Sequence, residues 1–150
     1  MPEGSMVAVG ITPNRPKRRP ALEVRYLKAT PMDLVGLVRE GLPWALYQGV
    51  MTDLGLTDQM AAGVLHIPLR TLTRRKGGRL DPQESERVMR LVRLRAKAED
   101  VLGTREKATL WLDSPNRALG GAIPISLLDT DIGTQAAEDV LTRIEYGVYG

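Results

Sequence analysis

The 150-residue chain has no cysteine and no phenylalanine, a single histidine, and aromatic residues amounting to only 4%. Without cysteine there are no disulfides and no thiolate chemistry, a composition that suits the reducing cytosol. One histidine and no clustered carboxylates leave no set of metal ligands, so neither a metal nor a cofactor is expected. Long apolar runs are also missing. None approaches the roughly 18–20 residues that span a bilayer, and the basic N-terminus is not followed by the apolar stretch of a secretory signal. "GGAIP" at 120–124 lacks the Lys-Ser/Thr of a phosphate loop. Ser114 and Ser126 have no base near them in sequence, and the Asp129/Asp131 pair reads as helix-terminal capping. No catalytic residue is assigned, and the chain is not expected to be an enzyme.

What is present is ordinary soluble composition, 43% hydrophobic and 26% charged, with an uneven distribution of charge. Residues 1–100 carry 17 Lys and Arg against 11 Asp and Glu, whereas residues 101–150 carry 4 against 7. A basic front can meet a polyanion that an acidic back would repel, so one chain offers two different surfaces.

The first 29 residues, with four prolines and two glycines in the first twenty and a basic knot from Arg15 to Arg19, read as an extended arm. Helical punctuation follows. Thr30 caps, Pro31 suits the first helical position and Gly41 stops the first segment. Pro43 opens a second helix that Gly55 ends, and Thr57 caps "DQMAAGVL". After a break at His66-Ile67, "PLRTLTRRK" forms a short helix running to Gly77-Gly78. Asp81, Pro82 and Glu84 form the capping signature of the longest helix, which Gly103 terminates. Its apolar positions Leu91, Leu94, Ala98, Val101 and Leu102 follow helical spacing, while Arg90, Arg93 and Lys97 lie along another stripe. "TREKATLWLD" is a further helix, "SPNRALGGAIP" a structured loop, and "PISLLD" a turn or two. A final helix runs from about Gly133 to Tyr146, with Ala136, Ala137, Val140, Leu141 and Ile144 on one face. No period-2 strand is evident, and the expected fold is all-α.

"TDQMAAGVLHIPLRTLTRR", residues 57–75, carries the pattern of a helix-turn-helix placed at 57–76. Ala62 is the small residue that permits a close crossing, and Ala61, Leu65, Ile67 and Leu72 hold it. His66 stands where the turn often has glycine, and Pro68 where Ser or Thr commonly caps. Histidine tolerates a left-handed backbone, and proline fits a first turn. Arg70, Thr71, Arg74, Arg75, Lys76 and Arg79 are the expected DNA-binding residues, five of them cations within ten positions. The competing reading is a helical hairpin with a solvated basic face. Because one short recognition helix rarely confers adequate specificity, a dimer reading two half-sites of a pseudo-palindrome is expected. The arm, the Trp44/Tyr47 helix and the long helix are all possible dimer surfaces.

"WLDSPNRALGGAIPISLLDTDIG" followed by "VLTRIEYGVYG" resembles the toxin-binding domain of the Xre/MbcA/ParS antitoxins. "LHIPLRTLTRR" and "GGRLDPQESERVMRLVRL" resemble the helix-turn-helix and connecting helix of the same family, and the likeness covers roughly residues 30–150. It implies a DNA-binding domain over 30–98 followed by a small helical toxin-binding domain over 99–150. It further implies a cytoplasmic type II antitoxin, not an enzyme, whose partners are a RES-domain, NAD⁺-consuming toxin and its own operator DNA. A homodimer within a hetero-oligomeric complex is expected, with no membrane. Arg143, Glu145, Tyr146, Gly147, Val148, Tyr149 and Gly150 are then the toxin-binding residues. The tyrosines supply contact area, the glycines close threading, and the terminal carboxylate meets cations that normally greet phosphates. In the alternative, Tyr146 and Tyr149 fold back over the chain's own core. The alternative for the whole chain is a plain helix-turn-helix repressor whose C-terminal half only dimerises; an enzyme or an RNA-binding adapter is a third class.

Overall fold

The computed structural model describes residues 30–147. The arm at 1–29 and the last three residues, Val148, Tyr149 and Gly150, lie outside them. The described residues form seven α-helices and two single 3₁₀ turns. In chain order the helices are α1 (Pro31–Glu40), α2 (Trp44–Leu54), α3 (Asp58–Leu65), α4 (Leu69–Arg74), α5 (Pro82–Leu102), α6 (Arg105–Leu112) and α7 (Asp131–Glu145), with the 3₁₀ turns at Arg117–Leu119 and Pro124–Leu127 before α7. Among the described residues there is no strand, only an isolated antiparallel bridge between Pro43 and Arg79. The fold is all-α, as the sequence predicts.

The caps explain where the helices begin. Thr30 and Asp33 close a capping box on α1, and Asp81 and Glu84 another on α5, each pair satisfying two N–H groups that the helix cannot. Thr57 and Thr104 accept from the third residue of α3 and α6. Pro43 is the residue before α2 rather than its first. Thr130 accepts the N–H of Gly133, so α7 starts at Asp131, two residues earlier than the apolar pattern suggests. The Asp129/Asp131 pair expected to cap is therefore superseded by Thr130, with Asp131 in the first turn beside the helix dipole.

Gly41 is fixed twice over. Its φ is +87°, and an added Cβ would lie 2.1 Å from the Leu80 carbonyl oxygen. This close approach lets the α1–α2 junction stitch to the segment before α5. Leu80 N–H donates to Leu42 O, Trp44 N–H to Gly78 O, and Leu42 N–H to the buried Ser85 hydroxyl.

α5 is the spine. Its 21 residues extend about 30 Å. Val88, Met89, Leu91, Val92, Leu94 and Ala98 are buried on it, and α1, α3, α6 and α7 all pack against it. The second stripe of α5 is half-buried, and its cations have partners in other elements. Arg87 donates to the carbonyls of Leu65 and His66, and Arg90 to that of Leu128. Arg93 pairs with Glu138 at 3.3 Å, and Lys97 donates to the Thr142 hydroxyl. Part of the positive excess in the front half is thus spent on the acidic back half of the same chain.

Trp44 and Tyr47, with ring centroids 4.6 Å apart, are buried in the core. The Trp44/Tyr47 side of α2 and the apolar face of α5 are covered within one chain.

Candidate nucleic-acid and partner interfaces

The α3–turn–α4 unit is assembled as a helix-turn-helix requires. Ala61 and Leu72 are fully buried, Leu65 and Ile67 nearly so, and Ala62 half-buried, its carbonyl accepting the Ile67 N–H. His66 takes φ 55°, ψ 44°, the left-handed conformation in which glycine is common, and among the described residues no other non-glycine has a positive φ. Arg87 holds this turn from behind through the two carbonyls. Pro68 stands just before α4 with no side-chain cap. α4 itself is shorter than the sequence suggests, ending at Arg74, and Arg75 to Gly77 form a turn.

The six predicted DNA-binding residues divide. Arg70, Arg74 and Lys76 are exposed on the outer side of this unit, and Thr71 is half-buried. Arg75 points elsewhere: its guanidinium donates to both Glu84 oxygens at 2.9 and 3.0 Å and to Asp81 at 3.4 Å. The hydrogen bond to Glu84 raises its pKa above the ordinary arginine value. Arg79 remains exposed but donates through Nη1 to Gly41 O at 2.7 Å. These two cations fasten α4 to α5 and to the α1–α2 junction. Sequence spacing could not separate adjacent Arg74 and Arg75, because the difference is set by Glu84, which lies in the next helix.

The second surface is built on α6, the loop and α7. Trp111 is half-buried against the core and Leu112 is buried. The loop closes on itself. Asn116 Oδ1 accepts from Ala118 N–H, Asn116 O from Leu119 and Gly121 N–H, and Asn116 N–H donates to Ala122 O. Gly120 and Gly121 have φ of 68° and 89°, and no atom lies within 4 Å of an added Cβ, so backbone angle rather than close approach explains them. Gly133 is the opposite case, missed in the sequence: an added Cβ would meet Leu127 O at 2.5 Å.

α7 buries Thr134, Ala137, Val140 and Leu141. Arg143, Glu145, Tyr146 and Gly147 are exposed, Tyr146 by 75%. The structure therefore does not fold Tyr146 back over the core. Its N–H still bonds to Thr142 O, so the ring projects from an ordered helix end. Val148, Tyr149 and Gly150 lie outside the described residues.

A buried ionic clasp ties α2 to α5 and α6. Asp53 on α2 receives Arg105 Nη2 at 2.7 and 2.8 Å, with Arg95 Nη1 at 3.8 Å and Glu99 3.9 Å from Arg105. Among the described residues no group of three or more His, Cys, Asp or Glu could hold a metal ion, and no helix is long and apolar enough to cross a membrane.

Comparison with known proteins gives this geometry its context. Residues 33–93 match the family model of the antitoxin Xre-like helix-turn-helix domain, and residues 97–147 that of the antitoxin Xre/MbcA/ParS C-terminal toxin-binding domain. The chain is 32% identical over 120 residues to an "Antitoxin Xre" of Photorhabdus laumondii, covering 77% of this chain and 80% of that protein. It is 43% identical over 86 residues to an "Antitoxin Xre" of Yersinia enterocolitica, a match spanning 55% of this chain and 58% of the relative. A "Prs ADP-ribosylating antitoxin" of Sphingobium sp. is 26% identical over 133 residues, 81% of this chain and 84% of its own. An all-α chain that places a helix-turn-helix domain ahead of a toxin-binding domain, and whose relatives are named as antitoxins, belongs to the Xre antitoxin family.

Proposed function

We propose that this antitoxin neutralises a RES-domain, NAD⁺-consuming toxin by laying its C-terminal residues across the toxin's substrate entrance, and that in the cytoplasm it represses its own promoter as a homodimer. The observation that carries the first part is Tyr146, a large amphipathic ring 75% exposed at the end of a helix whose other face is locked into the core. A ring that leaves its own core uncovered is available to fill another protein's cleft. The Sphingobium relative's name joins an antitoxin to ADP-ribosylation, a reaction class that draws on NAD⁺, which supports the choice of toxin.

Residues 30–98 would face DNA and residues 99–150 the toxin, with α5 common to both. Arg70, Thr71, Arg74 and Lys76 approach the duplex, and Arg75 and Arg79 hold the unit that presents them. Arg143 and Glu145 flank the toxin contact made by Tyr146 to Gly150. Deleting residues 146–150 and following NAD⁺ loss with the toxin present tests the model. The truncated chain should no longer inhibit, and undiminished inhibition would remove the occlusion reading. Footprinting should show a pseudo-palindrome protected symmetrically; protection of a single half-site would refute the dimeric arrangement.

A further inference from the structure

We infer that the outward ridge of α7 forms a second part of the toxin interface, with Ile132 as an anchor separate from the C-terminal segment. Five exposed residues, Ile132, Gln135, Asp139, Arg143 and Tyr146, succeed one another by three or four positions and so form one stripe along the helix. Ile132 and Tyr146 sit at its two ends, 83% and 75% exposed, the highest values for large apolar side chains among the described residues. Fourteen positions at 1.5 Å each put them about 21 Å apart. Between them the stripe is polar: Gln135 Nε2 donates to Asp139 Oδ1 at 3.0 Å, and Arg143 follows one turn later.

Ile132 packs into nothing among the described residues, standing 83% exposed. It is not a cap, since Thr130 does that work, nor does it touch the core, whose α7 contributions are Thr134, Ala137, Val140 and Leu141. A β-branched residue is also a poor choice for a solvated helical position. A lone exposed apolar residue is unremarkable. This one is aligned with Tyr146 in the segment that matches a toxin-binding domain, residues 97–147. It is also presented rigidly, because Gly133 seats the first turn against Leu127 O while the Thr134 hydroxyl donates to Thr130 O at 2.9 Å. The partner surface this fits is an apolar pocket about 21 Å from the substrate entrance, joined to it by a polar groove.

The inference rests on the reading that this domain seats a toxin, and the experiment separates the two. Full-length Ile132→Asp and Ile132→Ala variants are titrated against the co-encoded RES-domain protein by calorimetry. Losing the burial of an isoleucine should weaken binding roughly 10- to 100-fold for Ile132→Ala, and further for Ile132→Asp, which would place a charge in the pocket. Asp is favoured in the first turn of a helix, so circular dichroism melting and operator binding should be unchanged. An affinity within twofold of wild type for both variants would overturn the anchor while leaving occlusion by the last residues intact. Failure of the unaltered chain to bind would remove both.

Discussion

Asp53 joins the DNA-facing and toxin-facing parts of the chain, and its removal makes a quantitative prediction. The carboxylate is only 8% exposed and receives a two-pronged contact from Arg105, itself 18% exposed, with the 3%-exposed Arg95 close behind. Exposed ion pairs contribute about 0–1 kcal/mol, whereas breaking a buried pair costs about 3–5 kcal/mol, because the remaining charge has already lost its water. Glu99 stays near Arg105 at 3.9 Å and compensates in part. Asp53→Ala should therefore cost about 3 kcal/mol, the lower end of the buried range. For a body of this size that lowers the melting temperature by roughly 12 °C. A double-mutant cycle with Arg105→Ala, followed by thermal unfolding, should return a coupling energy of about 2 kcal/mol. A melting temperature within about 4 °C of wild type, with additive single effects, would show that the clasp behaves as a solvated surface pair and refute the reasoning.

Adjacent arginines should have opposite phenotypes. Arg74→Ala is expected to weaken operator binding and lower the salt slope by about one, with melting unchanged; Arg75→Ala should instead lower the melting temperature, and the reverse assignment would contradict the geometry. Tyr47 is fully buried with no hydrogen-bond partner on its hydroxyl among the described residues, and burial, then nearby Asp58, pushes its pKa from 10.0 up to about 12. Below pH 10 the phenol is neutral in both states. Between pH 10 and 12 the unfolded chain ionises first, so stability falls there by roughly 2–3 kcal/mol relative to Tyr47→Phe. Parallel pH–stability curves for the two proteins would refute the shift. Gly133→Ala drives a methyl into the Leu127 carbonyl and should cost about 1–3 kcal/mol by chemical denaturation; a neutral effect would mean that α7 can shift at its start.

The helices were legible because their boundaries are local chemistry. Thr30, Thr57 and Asp81 cap where their side chains predict, and Gly55 and Gly103 end helices in the left-handed conformation. The start of α7 is not legible, because Gly133 reads as a boundary but is a contact inside the first turn. The helix-turn-helix could be read from small and apolar residues at fixed offsets, even with His66 and Pro68 in the turn. The fates of Arg75, Arg79, Arg90 and Arg93 could not, since each depends on a partner in another element. Charge counted along the chain cannot tell a cation facing solvent from one facing Glu138. Ile132 is illegible for the same reason: its exposure is a property of how α7 packs, and the sequence shows only an isoleucine near a helix start.

The most direct test of the central claim is calorimetric binding of an unreactive NAD⁺ analogue to the toxin alone, to its complex with the full-length chain, and to its complex with the chain lacking residues 146–150. The account predicts that the analogue binds free toxin, fails to bind the full-length complex, and binds again in the truncated complex while the two proteins remain associated. Binding to the full-length complex with the affinity of free toxin would contradict it.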